Sequence, residues 1–233
     1  MKRLALLVVP CVALITLPMS AHAQAVPPPQ ARLAAALNMV RHTSGVHLAG
    51  EVTVSSGPVH ARILLAGDVA PVRHEADLTL ALRLASGGKT GRVVSTQARA
   101  ILVGNRLALR TGNGPFKCRP ITQIPGQYKS ALTMLHFGVG QAQAAVPAIL
   151  NGMNTYQIQT TSHVSILGTR VPLAAKLYIT RPKGRLVAEI ATTHLALSGN
   201  AVKLHEVLLL TKYGEHANIV FPSCGTTGGT GRG

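Results

Sequence analysis

The stretch Ala76 to Ala85, reading ADLTLALRLA, puts a leucine at every second position from Leu78 to Leu84. Asp77, Thr79, Ala81 and Arg83 alternate with them. Successive side chains of an extended strand point to opposite faces, so this spacing predicts a strand with one apolar and one wet face. Leucine is not a strong strand former, so periodicity carries the assignment and not propensity. A helix would scatter the four leucines around its axis. A chain built on such strands is mostly sheet, with one greasy face that needs a cover.

The same signal recurs along the chain. Val46 to Ser55 and Val59 to Leu65 alternate on either side of Gly57-Pro58 and predict a hairpin. Arg92 to Val103 and Arg106 to Thr111 flank Gly104-Asn105, a tight-turn pair. Ahead of these strands, Gln30 to Arg41 carries Leu33, Leu37 and Val40 on one helical stripe, stopped by Thr43-Ser44-Gly45. Gly112 to Pro125 is a loop rich in Gly and Pro. Gln127 to Phe137 has Tyr128, Leu132 and Leu135 at helical spacing, and Ala142 to Leu150 reads as a second helical piece around Pro147. Residues 127–150 are thus expected to form a helical insertion. Alternation resumes over Thr155 to Leu167, Leu173 to Thr180, Arg185 to Leu197, Val202 to Tyr213 and Ala217 to Phe221. Within Arg185 to Leu197 the apolar face changes midway, which predicts a bulge or strong bend. Residues 223–233 are Gly/Thr-rich and read as a flexible tail.

A chain of 233 residues suits one medium domain. Lys2 and Arg3, the apolar run Leu4 to Leu17 and the small residues of Ala21-His22-Ala23 read as a signal peptide cleaved after Ala23. This predicts export to the periplasm and one domain over residues 24–222. Cys11 lies inside the apolar run, in a poor context for lipidation, so the mature protein is expected to be soluble. Two cysteines remain, Cys118 and Cys224, and an exported chain most simply joins them. Closing a loop of about a hundred residues is worth on the order of 4 kcal/mol in the chain-entropy model.

The chain is strongly basic, at +16, of which Lys2 and Arg3 contribute two charges. Such an excess favours anionic partners, such as phospholipid headgroups and acidic glycans, or keeps a protein soluble in an acidic compartment. Export and the absence of Trp argue against nucleic acid. Gly87-Gly88-Lys89-Thr90 matches only the end of a phosphate-binding loop, with Arg83 where its first glycine belongs, and reads as a hairpin turn. No nucleophile elbow and no His-Glu-x-x-His helix are present, and the seven acids fall mostly on wet faces or in turns. The strand histidines His47, His60, His163, His194 and His205 lack ligand spacing, so neither metal nor cofactor is expected. Arg106, Arg110, Lys117 and Arg119 gather around the cysteine loop. They are either a solvated face or an anionic-headgroup site at a pocket mouth.

A signal peptide, one helix, a long meander, a helical insertion and a second meander, in that order, resemble the bacterial LolA/LppX-like superfamily of lipoprotein and lipid carriers. The local likeness lies in Ser44 to Val54 (SGVHLAGEVTV) after the helix and in Gly67-Asp68-Val69 at the end of the second strand. The resemblance covers most of residues 28–222. It implies a mainly β fold: a strongly curved antiparallel half-barrel of about ten strands with a few covering helices. It further implies a non-catalytic carrier that holds a lipid, or the acyl chains of a lipoprotein, in an apolar cavity. The strand residues placed to line that cavity are Leu48, Val52, Val54, Ile63, Leu65, Leu78, Leu80 and Leu82 in the first meander and Ile158, Leu177 and Ile179 in the second. Leu132 and Leu135 would line it from the insertion. Expected partners are a lipid or lipidated protein and a membrane surface or membrane-bound partner. A protein-binding or sensor module on the same fold is the alternative; an enzyme is disfavoured by the missing motifs.

Overall fold

The computed structural model describes residues 27–87, 93–123, 140–166, 169–197 and 200–224. Helix α1 (Pro29–Arg41) leads into β1 (Val46–Ser56), β2 (Val59–Ala70), β3 (Glu75–Ser86), β4 (Val93–Val103), β5 (Arg106–Thr111) and β6 (Lys117–Pro120). A second run follows: β7 (Gln141–Leu150), β8 (Met153–Ile166), β9 (Thr169–Thr180), β10 (Leu186–Leu197) and β11 (Asn200–Thr211). Single 3-10 turns sit at Pro71–Arg73 and Ile121–Gln123.

All eleven strands join one antiparallel sheet in the order β6-β5-β4-β3-β2-β1-β11-β10-β9-β8-β7. Each run is a meander of neighbours, and the first and last strands pair at the centre, Val52 opposite Glu206. The sheet curves without closing, a half-barrel whose two edges are β6 and β7.

The leucine strand sits as its periodicity requires. Leu78, Leu80, Leu82 and Leu84 lie opposite Gly67, Leu65, Ile63 and Ala61, so the apolar positions of β2 and β3 share a face. That face also carries α1 and is called the inner face here. Pro29 opens the helix with a fixed φ where its missing N–H costs nothing. Leu33, Ala36, Leu37 and Val40 are buried against Val46, Leu48, Leu78, Ile158, Leu173, Leu177 and Ile179. Arg32 stacks over Tyr156 at 3.9 Å, and Gln30 accepts a hydrogen bond from the Ala142 amide at 2.8 Å, which ties α1 to the second meander.

Two expectations fail in the described residues. Ala142 to Leu150 is not helical but belongs to the edge strand β7. Its register slips between Ala142 and Ala144, which breaks the period of two and leaves an alanine-rich string that looks helical. Pro147 is tolerated because an edge strand has one side free of ladder bonds. Ala217 to Phe221 is not the last strand but part of an extended strap after β11. The Gly214 amide bonds to the Gly45 carbonyl at 2.9 Å, Arg73 donates to the Ala217 carbonyl, and Arg106 stacks over Phe221 at 4.0 Å. The disulfide Cys118–Cys224 fastens its far end to β6. Gly45 is required at the crossing: a Cβ there would lie 2.0 Å from the Glu215 carbonyl oxygen. The Gly112 to Pro125 loop also contains the short strand β6. The helix expected over Gln127 to Phe137, the signal peptide and the 225–233 end of the tail lie outside the described residues.

Candidate functional site

The inner face has a closed part and an open part. Beneath α1, Leu48, Leu78, Ile158, Leu177 and Ile179 are each at most 5% exposed. They form the hydrophobic core with Leu33 and Leu37. Toward the β1–β2 turn and the end of β3, Val52, Val54, Ile63, Leu80 and Leu82 continue the same face but are only half-buried. Leu65 bridges the two parts, half-buried against the core. At the rim Leu84, Val59 and Val94 are exposed at 37%, 43% and 51%. All the described apolar candidates therefore share one face, but only some of them remain accessible. Leu132 and Leu135 lie outside the described residues.

The four basic candidates do not form one site. Cross-strand partners share a face, so Lys117, opposite Leu109, and Arg119, opposite Leu107, project on the inner side of the edge strand. Arg106 and Arg110 project on the outer side. There Arg106 stacks on Phe221 and Arg110 on Phe116, 4.8 Å from its centroid.

Two acids reach the inner face instead. Glu206 stands opposite Val52 on β1 and Ala191 on β10. Its surroundings are apolar, and burial pushes its carboxyl above the ordinary glutamate range. Glu189, 3% exposed, lies two residues from Ala191 on β10, diagonal to Glu206. Thr193 completes the polar side of this row and donates to the Pro172 carbonyl. The signal for Glu206 was present in the sequence, since it falls in step with Val202, Leu204, Leu208 and Leu210. Glu189 was hidden by the expected bulge, which the structure places between Leu186 and Ala188. That slip turns Ala188 and Ile190 outward and Glu189 inward.

The open part of the inner face is an accessible apolar surface along the strands, with Glu206 in its row. Among the described residues no group of three or more His, Cys, Asp or Glu side chains converges. No helix among them is long and apolar enough to cross a membrane. The disulfide fits an oxidising compartment.

No family model matches the chain, and neither does any curated protein. Among solved structures it is similar to the lipoprotein LppX of Mycobacterium tuberculosis, at 16% identity and a TM-score of 0.48, over 82% of this chain and 98% of that one. A beta-barrel-like protein of Brucella abortus from the DUF1849 family of unknown function is similar at 6% identity and a TM-score of 0.30, over 73% and 98%. A DUF1329 family protein from Desulfovibrio piger is similar at 10% identity and a TM-score of 0.27, over 84% and 96%.

Proposed function

We propose that residues 24–222 form a non-catalytic periplasmic carrier, and that the open part of the inner face binds a lipid or the acyl chains of a lipidated protein. The observation that carries this reading is the run of half-buried side chains Val52, Val54, Ile63, Leu80 and Leu82, continuous with the closed core. A face of this kind binds acyl chains by area alone, at about 0.8 kcal/mol for each buried methylene. No polar code is needed, so one face accepts chains of different length. Glu206 gives the floor a polar point for a headgroup donor or a linker amide. Signal-peptide cleavage and the disulfide place the carrier outside the cytoplasm in this reading.

Native mass spectrometry of protein purified from the periplasm, followed by organic extraction, tests the proposal. The expected result is a bound mass released as a lipid or lipid-anchored peptide. A clean apo mass, unchanged after incubation with lipid vesicles, overturns it in favour of a partner-binding module.

A further inference from the structure

Several cations of the outer face are gathered at one end. Following the register across the sheet, His205 on β11, Thr53 on β1, Arg62 on β2 and Arg83 on β3 form one row. The next row toward the turns holds His194 on β10, Lys203 on β11, Ser55 on β1 and His60 on β2. Neither row contains an acid. The nearest, Glu51, is engaged by Arg62 through two hydrogen bonds of 2.7 Å. A shallow depression of about 630 Å³ runs between His60, Arg62, Arg83, Lys203 and His205.

The other end of the outer face, beside the strap, has mixed charge. Asp68 and Asp77 are cross-strand partners there, next to His47 and Arg99. Glu75 pairs with Arg73 at 3.1 Å, and Arg106 stands in the same row as Glu75. The chain as a whole carries a net charge of +16.

The basic end is also the apolar rim. Val59 opens β2 beside His60, and Leu84 lies between Ala61 and Val94, on the strand that carries Arg83. Val93 adds a further apolar side chain at the same end, 54% exposed. We propose that this end of the sheet, where the β1–β2 turn, the end of β3 and the start of β4 lie, docks on the surface of an anionic lipid bilayer. The cations meet the phosphates, Val59, Val93 and Val94 enter the interface, and the open inner face is presented to the lipid. A soluble polyanion would use the cations but have no use for the valines. This deepens the carrier reading by placing the surface at which cargo is met.

The test is flotation of the full chain with phosphatidylcholine vesicles containing or lacking phosphatidylglycerol. Binding is expected only with phosphatidylglycerol, and should fall as salt is raised. Each cation near an anionic surface is worth about fivefold in partitioning, so R83Q/K203Q should weaken binding by about 25-fold. R41Q/K183Q removes the same charge at the opposite end and should change it less than about twofold on the same reasoning. Absence of flotation, or equal losses in the two double variants, overturns the docking face. Full vesicle binding by V59S/V94S overturns the entry of the valines and leaves a face that any polyanion could occupy. Failed flotation with lipid still extracted from the purified protein removes only this proposal. Flotation with a clean apo mass removes only the carrier reading.

Discussion

The second meander and the far edge of the first are stabilised in different ways. The second meander is held from inside: α1 lies on Leu173, Leu177, Ile179 and Leu186, and leaves each of them at most 7% exposed. The far edge of the first meander, β4 to β6, is also held from outside. Ile101 and Ala108, at 2% and 0% exposure, lie in the outer row that ends at Cys118, where the strap is fastened. One region closes its apolar face and becomes core. The other is clamped on its back, and part of its apolar face stays accessible. That division separates the side chains that hold the sheet together from those left accessible.

The sharpest way to break the comparison is a matched pair of truncations. Leu177→Ala, in the closed part, should cost about 3–5 kcal/mol, as cavity-forming substitutions do. Leu82→Ala, on the open part, should cost less than about 1.5 kcal/mol, since little burial is lost. Urea unfolding midpoints read both; equal losses would mean that the open part is as closed as the core.

Second in size is the clamp. Cys118→Ser with Cys224→Ser should lower stability by about 2–5 kcal/mol. Hydrogen exchange should then rise in β4 to β6 more than in β8 to β10; uniform loosening would show that the strap does not serve one half.

Tyr213 sharpens the boundary between the halves. Its hydroxyl donates to the Leu186 carbonyl, and burial pushes its pKa well above the usual tyrosine range. Tyr213→Phe should cost about 1 kcal/mol, seen as a lower thermal midpoint.

The smallest effect is expected at Glu206. Its raised pKa means that the folded chain holds the proton more tightly than the unfolded chain. The burial penalty is therefore fully present above the folded pKa and is relieved as pH falls through it. Glu206→Gln should raise the thermal midpoint at pH 7.5, and the gain should vanish below the ordinary glutamate range. A gain that persists in acid would assign the effect to packing and not to charge. Bound lipid should narrow the gain further if its polar end contacts this carboxylate.

Much of the fold was legible because period-two alternation survives wherever a strand has one covered face. The leucine strand, the β1–β2 hairpin, β5 and α1 lie within a residue or two of where their spacing puts them, although β2 runs on past Leu65 to Ala70. β7 was illegible because a bulge interrupts the period and alanine favours helices without being confined to them. The strap looked like a strand because extended chain and paired strand share a pattern; only the missing neighbour separates them. The site was partly legible. The described apolar candidates share one face, while the four cations around the cysteine loop were grouped by nearness in sequence and are parted by the pleat of β5 and β6.

The sequence by itself determined that the chain makes two-faced strands, that a helix with one apolar stripe precedes them, and that Cys118 and Cys224 are available to pair. These are local matters, set by side-chain spacing and backbone preference. Only the tertiary structure decided which strands meet. Pairing β1 with β11 brings Glu206 beside Val52, and carries Lys203 and His205 alongside the row of Arg62 and Arg83. Residues some 120 to 150 positions apart become neighbours through ladder hydrogen bonds, which are blind to side-chain identity. No local pattern encodes that adjacency, so the open apolar face could be expected from the sequence, while the charge set around it required the fold.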